Sequence, residues 1–320
     1  MQRFILHRLL LGIVTMFIVS LLVFAMVRIA PGDVAMMIAA QGEEEGADIP
    51  EEVLQEIRDM LGLDRPLPIQ YVVWIRGIVT LNWGESYFTG FDIFEDMQRR
   101  FPVTLELAVL SIVIAMAMGL PLGIVMALKQ DTWMDYAARI FSLAGLSVPN
   151  FWSATLIIAA GMLWFNWAPR IEYVSPLKDP LGNLSLYSWP AMTLGWIVMA
   201  TQARMLRSSM LEVLRQDYIR TAHAKGLTAW VVTYRHALRN AMLPVVTIVS
   251  FSVIIAMGGS VITESIFNLP GMGQYLVEAM GRRDYPVVQT VVLLFAAWVV
   301  LVNLAMDLLY AWLDPRIRYN

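Results

Sequence analysis

Residues 217–239 hold the densest grouping of side chains in this sequence that could do chemistry. His223 and His236 are candidate metal ligands, and Lys225, Arg235 and Arg239 could contact lipid phosphates. Two histidines without a third ligand are too few for a metal site. The chain has no cysteine, which excludes thiolate ligands and cysteine nucleophiles. We therefore predict neither a metal site nor a catalytic residue here.

The sequence motifs that would mark an enzyme are missing. The chain has no G-x-x-x-x-G-K-[ST] loop to hold the phosphates of ATP, no H-E-x-x-H zinc motif and no G-x-S-x-G nucleophile turn. It also has no basic tract of the kind that binds nucleic acid. The sequence therefore predicts a protein that binds no cofactor and no nucleic acid and hydrolyses nothing itself.

The composition is typical of a membrane protein. Of the 320 residues, 58% are hydrophobic and 15% are charged, whereas soluble proteins carry about 25% charged residues. Six stretches are long and apolar enough to cross a bilayer, which takes about 20 residues. They are residues 9–27, 103–128, 138–165, 189–205, 243–263 and 287–312. Arg3 and Arg8 before the first stretch could begin a signal peptide, but no clear cleavage site follows, so we expect a retained helix.

The lysines and arginines of the loops predict the orientation. The segment between the fourth and fifth stretches is rich in arginine, including Arg207 and Arg215, and should be cytoplasmic. Six spans then put both termini in the cytoplasm, in agreement with Arg3 and Arg316 near the two ends. Residues 31–101 accordingly fall on the outer side.

The outer segment is predicted to form a small helical cap. Pro50 can begin a helix, the two glutamates after it suit a first turn, and Gly62 can end the helix. A second helix is expected over residues 69–80, and residues 41–46 read as a flexible acidic loop. The expected fold is an all-α integral membrane protein, with six transmembrane helices and a small extracytoplasmic helical cap between helices 1 and 2.

The arginine-rich segment reads as two amphipathic helices joined at Gly226. Apolar residues share one face of each helix, at spacings of three and four. They are Met210, Leu211, Leu214, Tyr218 and Ala222 in the first helix, and Leu227, Trp230, Val231, Tyr234 and Leu238 in the second. Such a hairpin could dock on its own membrane domain, on lipid headgroups or into a groove on a soluble partner. Gly226 could form the docking turn or merely cap the first helix.

Two features inside the apolar stretches suggest helix geometry. Pro149, beside Asn150 in the third stretch, cannot donate a backbone hydrogen bond and predicts a bend. That bend could be a gate hinge or a structural kink. Gly119 and Gly123 form a small-residue pair in the second stretch, which lets a neighbouring helix approach closely.

Residues 217–227 and 235–244 resemble the EAA loop of permease subunits of binding-protein-dependent ABC importers. Ala222 and Gly226 match the small-residue and glycine positions of that loop, and its closing pair is matched by Leu243-Pro244. The sequence departs from the pattern at two positions, with Thr221 in place of the name-giving glutamate and His223 in place of an arginine.

The resemblance extends along most of the chain. It is carried by five further segments, residues 30–33 (APGD), 61–66 (LGLDRP), 100–107 (RFPVTLEL), 283–289 (RDYPVVQ) and 313–319 (LDPRIRY). In this order they are similar to the long-loop permeases of the dipeptide, oligopeptide and nickel importers.

This resemblance implies a complex in the inner (plasma) membrane of a bacterial cell. The partners would be a second, homologous permease subunit, two cytoplasmic ATP-binding subunits and an extracytoplasmic solute-binding protein. The hairpin would be the loop that couples the permease to an ATPase. The residues implied at that contact are Tyr218, Arg220, Thr221, Ala222, His223, Ala224, Lys225, Gly226 and Leu227. A pathway or gate is expected at Pro149, Asn150, Gly258, Gly259 and Ser260, although the last three could equally pack against the second permease.

The expected domains are residues 1–30 with the first helix, the cap of residues 31–101, and an importer core of residues 102–320 with its coupling loop at 206–242. Two other functions remain open, a stand-alone channel or carrier and a membrane-anchored scaffold. An ion-coupled carrier usually keeps ionisable residues near the middle of the membrane. Here the acidic residues of the spans lie near span ends. The solute stays open among dipeptides, longer peptides and nickel.

Overall fold

The computed structural model of the chain describes residues 2–29, 34–39, 49–169 and 173–313. The predictions for segment 30–33, the acidic loop 41–46 and residues 314–319 fall outside these ranges. The described residues form helices and include no β-strand. In chain order the helices are α1 (Gln2–Ile29), α2 (Val34–Ala39), α3 (Glu51–Leu61), α4 (Leu67–Val79), α5 (Ile93–Leu128), α6 (Trp133–Ser147), α7 (Asn150–Phe165), α8 (Pro180–Leu214), α9 (Asp217–Ala224), α10 (Ala229–Val231), a π-helical segment (Val232–Ala237), α11 (Leu238–Phe267), α12 (Met272–Arg282) and α13 (Tyr285–Leu313).

Several of these helices can cross a membrane. By length and apolar composition, the candidates among the described residues are α1, α5, α13 and the continuous stretch Ala229–Phe267, which joins α10, the π-helical segment and α11. The pair α6–α7 meets the same criterion when taken together, but it is bent by 105°. The part of the chain that the structure describes thus has four candidate spans, or five with the bent pair. The all-α fold and the multi-pass membrane character are confirmed.

The chain divides into two compact units, one of residues 1–101 with 275–320 and the other of residues 102–274. In the second unit, α6, α7 and α11 all pack against α8. Residues of α8 such as Met199, Ala203 and Leu206 are fully buried. A helix enclosed by other helices needs fewer apolar side chains than one that faces lipid, because its polar groups are shielded by protein. α8 is not among the candidate spans by composition.

Glycines allow α5 to approach α8. A Cβ atom on Gly123 would lie 2.9 Å from the carbonyl oxygen of Ala203 and 2.9 Å from Cβ of Leu206. A Cβ on Gly119 would lie 3.2 Å from the carbonyl oxygen of Met199. The sequence prediction that this small-residue pair serves close helix packing is therefore confirmed.

The predicted bend at Pro149 is a complete break between two helices. Val148 ends α6 in an extended conformation, and Pro149 precedes α7 with φ −58° and ψ 138°. A proline disfavours the α conformation in the residue before it, which explains why the helix stops there rather than curving. The stretch over residues 138–165, predicted as one span with a bend at Pro149, thus consists of two helices that meet at an angle of 105°.

The bent pair runs along α8 in the opposite direction. Asp135 of α6 binds Arg207 near one end of α8, and the indole of Trp196 donates to the Phe141 carbonyl at 3.2 Å. Further along, the ring of Trp167 lies 6.2 Å from that of Trp189. The Trp189–Arg207 interval of α8 is about 27 Å long at 1.5 Å per residue, so the pair covers a distance close to the thickness of a hydrocarbon core, about 30 Å.

In the first unit, α1 packs along α13, and Arg8 pairs with Asp307 at 3.1 Å. The predicted helix after Pro50 is present as α3, and Gly62 ends it with φ 63° as expected. Leu54 of α3 is buried against α2. The second predicted helix is present as α4, and it contacts α1. The Tyr71 hydroxyl lies 2.7 Å from the Ser20 hydroxyl, nine residues inside the end of α1.

Candidate coupling surface

The hairpin begins where α8 ends at Leu214. Two residues separate α8 from the short helix α9, and Gly226 then turns the chain into the long helix that continues as α11. The first predicted helix is therefore two helices, α8 and α9. The second predicted helix is not a separate helix. It forms the first turns of a helix that runs without interruption to Phe267.

The turn at Gly226 is a Schellman motif. The Leu227 N–H donates to the Ala222 carbonyl at 3.3 Å, and the Gly226 N–H donates to the His223 carbonyl at 2.9 Å. Gly226 has φ 79°, in the left-handed region that residues with a Cβ adopt only at a cost. A Cβ atom on Gly226 would meet no atom within 4 Å. Backbone conformation, and not space, therefore requires the glycine.

One side of α9 is buried. Ile219 and Ala222 pack into a cluster with Leu206 and Met210 of α8 and with Ala237 of the π-helical segment. Ala222 was predicted as a contact residue, but its side chain faces this cluster, where a larger residue would not fit as closely. The buried face fixes α9 against the membrane domain and leaves the opposite side to the solvent.

The exposed side defines the coupling surface, a set of residues on α9 and the start of the next helix. It brings together Tyr218, Arg220, Thr221, His223, Ala224, Lys225, Gly226, Leu227, Trp230 and Tyr234, all of them exposed. These include every predicted contact residue except Ala222. Tyr218 is held by Asn240, whose Nδ2 donates to its hydroxyl at 2.8 Å, and Arg220 pairs with Asp217 at 3.5 Å.

Two aromatic residues dominate the apolar part of the coupling surface. The Trp230 side chain is 68% exposed, and its ring centre lies 3.9 Å from that of Tyr234. The predicted apolar stripe of the second helix therefore faces solvent in part, while Val232, Thr233 and Ala237 are buried instead. An exposed, rigid aromatic pair beside cationic side chains is typical of the centre of a protein interface.

An ion-pair cluster missed by the sequence reasoning ties the start of the hairpin to α6. Asp135 is fully buried and pairs with Arg207 at 3.2 Å and with Arg139. The Asp131 N–H also donates to the Asp135 carboxylate at 3.0 Å. Asp135 and Arg207 are far apart in the sequence, so no local pattern could have indicated this contact.

The predicted pathway residues lie at the start of α7 and within α11, and Thr263 connects the two groups, because its hydroxyl donates to the Gly259 carbonyl at 3.3 Å. The Asn150 amide donates to the Thr263 hydroxyl at 2.9 Å, which joins the start of α7 to α11. Ser260 is fully buried, and a Cβ on Gly259 would lie 2.8 Å from the Leu194 side chain. Gly258 is exposed and has open space at its Cβ position.

Glu264 is a second group that the sequence reasoning undervalued. Its side chain is fully buried, and one carboxylate oxygen accepts from the N–H groups of Gly273 at 2.7 Å and Gln274 at 3.2 Å. A Cβ on Gly271 would collide with the same carboxylate. The sequence did contain a signal for this contact. The glycines at 271 and 273 lie close together and leave room for another side chain inside the turn.

These features define a class of protein, a helical multi-pass membrane protein with a hairpin that is fixed on one side and exposes aromatic and cationic side chains on the other. Comparison with known proteins narrows the class. Residues 119–319 match the family described as binding-protein-dependent transport system inner membrane component, and residues 1–108 match the N-terminal region of membrane components of such systems. The chain belongs to this family, and it is an inner-membrane permease subunit of a binding-protein-dependent ABC transport system.

Individual relatives match over the full length of both chains. The dipeptide transport system permease protein DppB of Escherichia coli K12 is 42% identical over 343 residues. A probable peptide ABC transporter permease protein of Sinorhizobium fredii is 38% identical over 319 residues, and a putative peptide transport system permease protein of Brucella abortus is 38% identical over 320 residues. Each alignment covers 100% of this chain.

Proposed function

We propose that the chain forms half of the translocation pathway of an ATP-driven importer of short peptides. The observation that carries this proposal is the coupling surface. The hairpin is fixed to the membrane domain by its buried side, and its exposed side is open to a partner. The names of the relatives, which include dipeptide and peptide permeases, support short peptides as the solute. The partners are a second homologous permease, two cytoplasmic ATPases and an extracytoplasmic solute-binding protein.

The coupling role rests on three properties of the hairpin. Its buried side fixes α9 to α8, so that a force on α9 reaches the membrane domain. Its exposed side combines the Trp230–Tyr234 pair with the cations Arg220 and Lys225. Its Schellman turn gives the loop one defined shape, which lowers the entropy lost on docking. ATP-driven closure of the ATPases would pull on this surface and move the spans.

The proposed topology has six spans with both termini in the cytoplasm. The spans are α1, α5, the α6–α7 pair, α8, the stretch Ala229–Phe267 and α13. The opposed course of α6–α7 along α8 supports a pair that crosses the membrane rather than one that turns back. The domains are then residues 1–30, an outer segment 31–101 whose α2–α3 pair forms the cap, and a core 102–320 with the coupling loop at 206–242.

Single cysteines will test this topology, and the cysteine-free chain gives no background. In intact cells, an impermeant thiol reagent should label cysteines at Asp92 and Lys178 but not at Gln130 or Arg215. Positions 130 and 178 lie on either side of the bent pair, so they respond differently only if the pair crosses the membrane. Equal labelling of these two positions would indicate a re-entrant pair and five spans, and labelling of position 215 would reverse the orientation.

We propose that α11 contacts the second permease near Gly258. Phe251, Ile255, Gly258 and Ile262 recur at helical spacing and are all exposed. A glycine in the middle of an apolar helix face lets another helix approach closely inside a membrane. The second permease is therefore favoured over the pathway as the role of Gly258, whereas Asn150 and Ser260, which are bonded within the chain, serve the arrangement of α7 and α11.

Transport should require ATP and all of the partners. In vesicles that hold both permeases, the ATPases and the binding protein, a dipeptide should accumulate only when ATP is supplied on the side of the ATPases. The purified chain alone should neither hydrolyse ATP nor move the dipeptide. Movement of the dipeptide by the chain alone would favour a stand-alone carrier, and ATPase docking without any transport would favour a scaffold.

A further inference from the structure

The first unit contains a cavity of about 230 Å³ beside the end of α1. Its lining includes Arg28 of α1, Gln70 and Trp74 of α4, and Gln289 of α13. Tyr87 and Glu85, from the segment after α4, add further polar groups to the lining, and so does Arg65. None of these residues belongs to the coupling surface or to the predicted pathway.

Two hydrogen-bond donors at this cavity have no acceptor within the described part of the chain. Arg28 lies 5.0 Å from the centre of the Phe24 ring, and it makes no ion pair with any residue that the structure describes. Among the residues that the structure describes, its Nε has no hydrogen-bond partner, and neither has Nε2 of Gln289, a residue that is only 6% exposed. A buried donor without an acceptor is unfavourable, and more so if it is charged. An oxyanion in the cavity would satisfy both donors.

Tyr87 cannot supply that negative charge. Burial raises the pKa of the Tyr87 hydroxyl, and Asp284 raises it further, while the Arg28 cation acts in the opposite direction. The hydroxyl therefore stays protonated at neutral pH and can donate a hydrogen bond. Arg65 also lines the cavity, so the charged groups that the described residues bring to the cavity are two cations and the Glu85 carboxylate.

The cavity also offers acceptors. Nε2 of Gln70 donates to the carbonyls of Leu63 at 2.8 Å and Arg65 at 2.7 Å, which fixes the orientation of the amide. Its Oε1 is buried and accepts from no described residue. Together with the Glu85 carboxylate, this oxygen suits a ligand that carries an ammonium group as well as an oxyanion.

The cavity lies at the level of lipid headgroups. Arg28 is one residue from the end of a helix that is long and apolar enough to cross the membrane. Trp74 and Trp83, both at the cavity, have the ring type that favours the membrane interface. The contact of Tyr71 with Ser20 lies about 13 Å inside the end of α1 at 1.5 Å per residue.

Helix α4 supplies an apolar surface next to the cavity. It has 13 residues, too few to span a bilayer, and Leu67, Val72 and Val79 are all more than half exposed. A short helix with such a surface, packed against a span below the headgroup level, fits the interface between headgroups and acyl chains. Acyl chains would cover these side chains.

We propose that this cavity binds the headgroup of phosphatidylethanolamine, with the phosphate at Arg28 and Gln289 and the ammonium at Gln70 and Glu85. Basic pockets between transmembrane helices bind lipid headgroups by the same chemistry. A zwitterionic peptide carries both charges as well, but it has no acyl chains to cover α4. The lipid therefore accounts for the cavity and the apolar surface together.

Native mass spectrometry of the purified full chain tests this assignment. After detergent exchange, the chain is offered phosphatidylethanolamine, phosphatidylglycerol or phosphatidylcholine, and the retained lipid is measured. Phosphatidylethanolamine should be retained best, because glycerol carries no ammonium and the trimethylammonium group has no N–H to donate. Arg28→Gln should lower its retention about tenfold, the loss of one charge-assisted hydrogen bond.

Further variants separate the two ends of the headgroup. Gln289→Leu should weaken all three lipids, whereas Gln70→Leu should remove only the preference for phosphatidylethanolamine over phosphatidylcholine. Arg99→Gln, a charge loss on an exposed side chain outside the cavity, should match the unmodified chain. Equal retention of the three lipids, or no effect of Arg28→Gln, would overturn the proposal. So would displacement of the lipid by alanyl-alanine that itself needs Arg28, since the cavity would then be a solute site.

Discussion

Replacing Gly226 by valine is expected to abolish uptake and to release the ATPase, while the chain still inserts into the membrane. Gly226 sits at φ 79° in the Schellman turn, where a β-branched residue costs about 1–3 kcal/mol in backbone strain. Its Cβ position is open, so no clash with the membrane domain adds to that cost. The turn would change shape, and a docking loss of only 1.4 kcal/mol lowers affinity about tenfold. Expression, ATPase co-purification and solute uptake measure the three steps.

Two further variants make this test specific. Gly90→Val meets the same backbone conflict, since Gly90 has φ 67° and open space at its Cβ position, but it lies in the first unit, outside the coupling loop. It should leave ATPase co-purification unchanged. Gly226→Asn should retain much of the uptake, because asparagine visits the left-handed region more readily. Normal uptake by Gly226→Val, or an equal loss of co-purification from Gly90→Val, would contradict the proposal that the hairpin couples the permease to the ATPase.

Gly123→Ala is expected to destabilise the folded chain, with less material surviving purification and a lower melting temperature. The added Cβ would lie 2.9 Å from a backbone carbonyl oxygen and from Cβ of Leu206, so α5 and α8 would have to separate. Overpacking of this kind costs about 1–3 kcal/mol. Thermal unfolding followed by size-exclusion chromatography measures the effect.

Gly281→Ala provides the matched comparison. It is the same substitution within a helix, but the Cβ position of Gly281 has no atom within 4 Å. Alanine favours a helix more than glycine does, so this variant should be at least as stable as the original chain. Equal losses from the two variants would show that the close approach at Gly123 does not limit stability.

Sequence reasoning predicted the features that depend on local chemistry. The end of α3 at Gly62 and the left-handed turn at Gly226 follow from the glycine itself, and both are present. The packing role of Gly119 and Gly123 follows from side-chain size. The long apolar stretches follow from composition. In the third of them, Pro149 separates two helices, whereas the sequence predicted only a bend.

Contacts between residues that are far apart along the chain could not be predicted from the sequence. Asp135 and Arg207 meet only because α6 and α8 pack together. The exposed position of Trp230 and Tyr234 was also not predictable, because counting by 3.6 residues assumes an α-helix throughout. The π-helical segment Val232–Ala237 changes that count in the middle of the predicted stripe and turns other residues inward.

The π-helical segment also bears on how the family can change length during evolution. A π turn holds one residue more than an α turn, so removal of one residue from Val232–Ala237 restores an ordinary α-helix. The coupling surface would then rotate by about 100° relative to α11, and the rest of the span would keep its register. A deletion of one residue in α8 would instead rotate every later residue of that helix, so that the residues packed on the glycines of α5 would no longer face them. We therefore expect gains and losses of single residues to be tolerated better at the π-helical segment, where they change the direction that the coupling surface faces.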